Sequence, residues 1–149
     1  MHNLSSYIHE IVNNGFHEVR DAHIISFYTV SSDHYLESEK KNRYLYEISV
    51  DRSLMEVPKE VIVGGLAHEI AHISMELRRN FIINTIDTLL CMVPFYSTFD
   101  ERRTDRLVIQ RGFGSELLSF IEYCNETREN YNRLDGLTEK EIRKILEKK

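Results

Sequence analysis

Val61-Ile62-Val63-Gly64-Gly65-Leu66-Ala67-His68-Glu69-Ile70-Ala71-His72-Ile73 is the stretch on which the reading of this chain turns. Residues four apart on an α-helix project from one face, with Cβ atoms about 5–6 Å apart. At that spacing His68 and His72 can share one zinc ion, each nitrogen at roughly 2.0–2.1 Å. Glu69 falls about 100° around the helix from His68. That keeps it off the shared coordination position but within reach of a proton on a metal-bound water. The same histidines could instead be packing or surface side chains, so the flanking residues must decide. Pro58 suits a first helical position, where its missing N–H costs nothing. Val61, Val63, Leu66, Ile70, Ile73 and Leu77 recur at near-helical spacing and predict a face turned to a core. Gly64 and Gly65 each cost about 1 kcal/mol relative to Ala inside a helix. A glycine pair there marks close approach by another backbone.

Catalytic zinc commonly takes three protein ligands and keeps a fourth position for water. None of the seven histidines lies after His72, so no downstream histidine can complete the set. Met75 and Arg78 occupy the positions of the Gly and His in the extended H-E-x-x-H-x-x-G-x-x-H pattern. Glu76 lies about 12 Å along a straight helix from His68, too far to join both histidines. Glu101 is the better candidate, in Thr98-Phe99-Asp100-Glu101-Arg102-Arg103-Thr104-Asp105 on a helix that Gly112 would stop. Glu101 and Asp105 share a face, and two like charges there weaken an isolated helix by a few tenths of a kcal/mol. A metal on Glu101, and a ligand histidine held by Asp105, would reverse that sign. The competing reading is local: Thr98 and Glu101 form a capping box, and Asp105 pairs with Arg102.

His68-Glu-x-x-His72 followed by Glu101-x-x-x-Asp105 resembles the gluzincin metallopeptidases. Over about residues 44–113, from Tyr46-Glu-Ile-Ser-Val50 to Arg111-Gly-Phe113, the chain is most similar to the soluble minigluzincins and to the catalytic core of the CAAX-prenyl-type membrane peptidases. Thr104 departs from the pattern, since such helices often carry Ala before the Asp. The resemblance implies a zincin-like fold and one zinc per chain on His68, His72 and Glu101. It also implies Glu69 as general base and a peptide or protein substrate. The strand around Tyr44–Val50 would form the cleft rim, where substrate adds in extended form. An ordinary sheet edge is the plainer reading of the same residues.

At 149 residues, one domain over 1–149 with one core is expected. A hydrophobic content of 42% with 29% charged residues reads as globular, and the net charge of −5 argues against nucleic acid or an anionic membrane as partner. Two cysteines, Cys91 and Cys124, are too few for a disulfide framework and read as buried thiols. The first residues lack a basic and apolar leader, and no eighteen-residue apolar run occurs; the nearest, Phe81 to Tyr96, carries Asn84 and Asp87. The expectation is a cytoplasmic protein without membrane insertion.

Leu4, Tyr7, Ile8, Ile11 and Val12 predict a core-facing first helix ended by Asn14-Gly15. His23–Val30 predicts a buried strand, and the polar stretch from Ser31 to Arg43 a loop containing a solvated His34. Tyr44, Tyr46, Ile48 and Val50 alternate as one face of a strand. Ile82 through Val93 continue a helical stripe to Pro94, and Leu117, Leu118, Phe120 and Ile121 face inward on a helix from Ser115 to Cys124. Thr138-x-x-Glu141 is a capping box with Leu137 and Ile142 as a hydrophobic staple, opening a last helix that buries Ile142, Ile145 and Leu146. The fold class expected is α+β: a small sheet packed on the motif helix, with a mostly helical second half.

The function these residues point to is zinc-dependent hydrolysis of peptide bonds, in the manner of an endopeptidase. Tyr96, Tyr123 and Tyr131 are formal candidates for stabilising an oxyanion, and packing is the competing role of each. The alternative is a zinc site without turnover: a latent precursor, a sensor or an interaction module. Residues 125–134 form a polar stretch that would strap the cleft in a latent form, with Glu126 or Glu129 reaching the metal. The same stretch could simply complete the core.

Overall fold

Helix α2, Lys59–Arg78, is the element around which the others assemble in the computed structural model of this chain. The structure describes residues 2–30, 34–78, 94–127 and 136–148, with the backbone alone for 94–97. The helix begins directly after Pro58, whose carbonyl accepts from the Val61 and Ile62 amides. From Val61 to Ala71 every residue except Glu69 is buried. A helix that is apolar nearly all round needs cover on every side. Here α1 (Leu4–Asn14), the sheet, α3 (Pro94–Gln110) and α4 (Gly114–Thr127) supply it.

The glycine pair makes that cover possible. A Cβ on Gly64 would collide with the backbone carbonyl of Glu116, so α4 lies directly against α2 there. One on Gly65 would stand 2.6 Å from Leu36 Cδ1 and 3.1 Å from the Phe120 ring. The expected backbone approach is therefore present, and it comes from α4. Leu117, Phe120, Ile121 and Cys124 are the buried residues this helix brings to α2. Each fully buried Leu, Ile or Phe of this kind contributes about 1.5–3 kcal/mol.

Three strands form a mixed sheet in the order β1-β3-β2: β1 is His23–Thr29, β2 Leu36–Lys40 and β3 Leu45–Asp51. β3 runs parallel to β1 and antiparallel to β2. The alternation read from the sequence holds on β3, where Tyr46, Ile48 and Val50 are buried and Leu45, Glu47 and Ser49 are less so.

Three expectations about the sheet are corrected. β1 is an edge strand and not a buried one, with Ile25 and Phe27 41% and 42% exposed on its outer face. Its β-branched and aromatic content suits a half-covered strand as well as a buried one. The stretch expected as a loop contains β2, although His34 is exposed as expected. Leu36-Glu-Ser-Glu-Lys40 lacks apolar alternation because it is an edge strand rich in charge, a common composition for such strands. Lastly, β3 is the central strand, flanked on both sides, so it is neither a rim nor an edge.

Helix α3 extends further toward the N-terminus than the capping-box reading allows. Thr98 lies within it, so Thr98 and Glu101 do not open a helix. Its end is as expected: Gly112 has φ +96°, its amide bonds to Ile109 O, and the Phe113 amide bonds to Val108 O. That pairing is the glycine-terminated Schellman arrangement. The last helix, α5 (Glu139–Leu146), opens with the predicted capping box between Thr138 and Glu141, and both Leu137 and Ile142 are buried. The stripe from Ile82 to Val93, Cys91, Glu129 and Tyr131 lie outside the described residues, as does the Tyr96 side chain. No helix among the described residues is long and apolar enough to cross a membrane.

Candidate metal centre

One turn of α3 faces one turn of α2. Glu101, Thr104 and Asp105, at i, i+3 and i+4, look across at His68 and His72, at i and i+4. Four side-chain atoms of three residues converge between the helices. His68 Nε2 lies 3.1 Å from His72 Nε2 and 3.1 Å from Glu101 Oε2, and His72 Nε2 lies 3.3 Å from Glu101 Oε1. Two tetrahedral ligand atoms with arms of about 2.05 Å stand about 3.3 Å apart, so the triangle made by the two imidazoles and the carboxylate, one oxygen of which faces each ring, has separations that suit ligands of one metal ion. Among the described residues, His68, His72 and Glu101 form the one group able to hold a metal ion.

The surroundings explain why the triangle requires a cation. Asp105 is wholly buried and its Oδ1 lies 3.0 Å from His68 Nδ1. A carboxylate there keeps the ring proton on Nδ1, which leaves the Nε2 lone pair pointing at Glu101. A lone pair and a carboxylate oxygen at 3.1 Å repel each other unless positive charge lies between them, either a proton or a metal ion. Burial alone would raise the Glu101 carboxyl, but hydrogen bonds and charge from His68 and His72 outweigh it and hold the group well below the usual carboxylate range.

Asp105 does not pair with Arg102 in the way the local reading supposed. Its Oδ2 accepts the Leu137 amide at 2.8 Å. Arg102 instead forks onto Glu141 at 2.5 and 3.2 Å and donates to Gly136 O. The segment opening α5 is thus anchored on the Nδ1 side of the His68 ring, opposite the Nε2 atom that faces Glu101. Glu76 is absent from the cluster and pairs with Lys40 at 2.6 Å. Glu126 stands exposed on the last turn of α4, outside the cluster. Tyr123 packs its ring against Tyr35, with centroids 5.7 Å apart.

Glu69 is the single half-buried residue in an otherwise buried run of α2, and Ser38 on β2 donates to its Oε2 at 2.6 Å. The sequence reading missed Ser38. The signal for it was faint: Glu37 and Glu39 alternate with Leu36, Ser38 and Lys40, which is a strand period written almost without apolar residues. The inner set lies along α2, with Leu36 at Gly65, Ser38 at Glu69 and Lys40 at Glu76. Thr104 was read as a departure from a helix pattern. It is wholly buried, and its hydroxyl donates to Asp100 O at 2.9 Å and lies 3.5 Å from His72 Nδ1.

Two imidazoles and a carboxylate at these separations define a candidate centre for a metal ion. Comparison with family models, curated proteins and solved structures finds no match for this chain.

Proposed function

We propose that this chain is a zinc-dependent metallopeptidase of gluzincin type with a zincin-like fold, holding the metal on His68, His72 and Glu101. The observation that carries the reading is the convergence of His68 Nε2, His72 Nε2 and the Glu101 carboxylate, whose 3.1–3.3 Å separations suit ligands of a tetrahedral ion. A zinc ion bound there would lower the pKa of a bound water toward about 7 and polarise a peptide carbonyl. Glu69 accepts the proton from the attacking water and passes it to the leaving amine. Ser38 donates to Glu69 and fixes one oxygen of its carboxylate. Extended substrate adds along β2, whose outer edge pairs with no other strand among the described residues. This moves the rim from the Tyr44–Val50 strand to Leu36–Lys40, the strand that touches the general base.

The test is Glu69→Gln in the full chain. It should retain about one zinc per chain and lose hydrolysis of a mixed peptide library, because a buried structural metal needs no base beside it. A wild-type protein that binds zinc but cleaves nothing favours the non-catalytic reading.

Latency through the C-terminal segment must be tested without disturbing one contact, the Leu137 amide bonded to the carboxylate that holds His68. Removing residues 126–149 would strip that bond from the site. Cleavage within 128–135 is the cleaner way to release a strap, since it leaves the α5 anchor in place.

A further inference from the structure

We propose that Thr104 fixes the tautomer of His72, doing with a hydroxyl what Asp105 does for His68 with a carboxylate. The proposal rests on the metal-centre reading above. Thr104 and Asp105 are adjacent on α3 and both are wholly buried. Each lies at the Nδ1 atom of one histidine, while Glu101, one turn earlier, lies at both Nε2 atoms.

A threonine hydroxyl has one hydrogen. In Thr104 it is given to the Asp100 carbonyl at 2.9 Å, the back-bonded arrangement available to Thr inside a helix. The oxygen can then only accept, and the ring nitrogen 3.5 Å away must carry the hydrogen it accepts. His72 is thereby set with N–H at Nδ1 and its lone pair at Nε2, the atom that closes the triangle with His68 and Glu101. The opposite tautomer would turn the single ring lone pair against the Thr104 oxygen and leave an N–H at the metal position. A separation of 3.5 Å exceeds the usual range of about 2.7–3.2 Å for N–H···O bonds, so Thr104 orients less firmly than Asp105.

The experiment compares wild type, Thr104→Val, Thr104→Ala and Thr104→Ser as full chains. Zinc affinity is measured by competition with a chelator, and metal-free stability by chemical denaturation. The expected result is a roughly tenfold loss of zinc affinity in the two hydroxyl-free variants, the lower end of the range for outer partners of ligand histidines. Thr104→Ser should restore affinity to within about threefold of wild type, because it keeps the accepting oxygen. In zinc-loaded protein, nitrogen-15 NMR should show His72 ligated through Nε2, with a slowly exchanging Nδ1 proton in wild type and Thr104→Ser. That proton should exchange fast in Thr104→Val and Thr104→Ala. Equal zinc affinity in all four proteins, or loss that follows stability and is not rescued by Ser, overturns the assignment. A wild type with no zinc affinity sinks the metal centre itself, and the role of Thr104 with it. Tight binding in wild type and both hydroxyl-free variants sinks Thr104 alone.

Discussion

Behind the two histidines, Thr104 and Asp105 are wholly buried, and Asp105 bridges His68 to the Leu137 amide. In front of them, strand β2 presents Glu37, Glu39 and Lys40 to solvent and reaches α2 through Leu36, Ser38 and the Lys40–Glu76 pair. The two regions hold charge by different means. The rear wall holds its carboxylate in a dry setting, where a hydrogen bond to an ionised group counts for about 1.5–3 kcal/mol and an unmet partner costs as much. The rim keeps its charges wet, where an ion pair such as Lys40–Glu76, about a third exposed on each side, contributes under about 1 kcal/mol.

Asp105→Ala should break the wall most severely. It leaves the His68 Nδ1–H and the Leu137 amide without their acceptor, and loss of one buried charged partner costs about 3–5 kcal/mol. Urea denaturation of the metal-free protein should show that loss, and chelator competition a fall of about 10–100-fold in zinc affinity. A stability loss with unchanged affinity would make Asp105 an anchor for α5 only.

Glu101→Ala removes a proposed ligand instead of its support. Zinc affinity should fall by more than the roughly 100-fold that bounds outer-partner effects, while Glu76→Ala leaves it unchanged. The reverse pattern would mean that the two-helix centre is misread.

On the rim, Ser38→Ala should leave zinc affinity intact and slow peptide hydrolysis roughly tenfold, the lower end for a hydrogen bond to an ionised group. Zinc affinity falling in step with rate would place Ser38 with the wall and blur the contrast.

The smallest effect tests how far wall behaviour extends along α5. Hydrogen bonds from Arg102 and from the Thr138 amide hold the Glu141 carboxyl down to about 2. A folded value below the unfolded one stabilises at pH above the unfolded pKa, and that contribution is lost as pH falls toward about 2. Glu141→Gln keeps the capping box but not the charge. Its stability deficit against wild type should be under about 1 kcal/mol near pH 6, because the side chain is 40% exposed, and should vanish as pH approaches about 2. A deficit constant across that window would assign the effect to geometry and not to charge.

Helices were legible wherever an apolar period coincided with a chemical stop. Leu4, Ile8, Ile11 and Val12 face the core on α1, Gly112 ends α3, and Thr138 with Glu141 caps α5. Strands were legible less evenly. β3 declared itself through Tyr46, Ile48 and Val50, but its central place did not, because alternation reports one covered face and says nothing about the two edges. β2 was missed because charged edge strands lack the apolar signal by construction. For the candidate site, His68, His72, Glu69, Glu101 and Asp105 were all named from spacing, and the structure brings the two histidines, Glu101 and Asp105 together.

The sequence by itself determined what is local. A four-residue spacing places two side chains on one helical face whatever the rest of the chain does, and a glycine pair permits a close neighbour without naming it. Tertiary structure alone decided which neighbour came. It set α4 against Gly64, turned Glu101, Thr104 and Asp105 onto the histidines, seated Leu137 on the far oxygen of Asp105, and laid Ser38 over Glu69. Those contacts join residues about thirty or more positions apart, and periodicity carries no information about partners at that range.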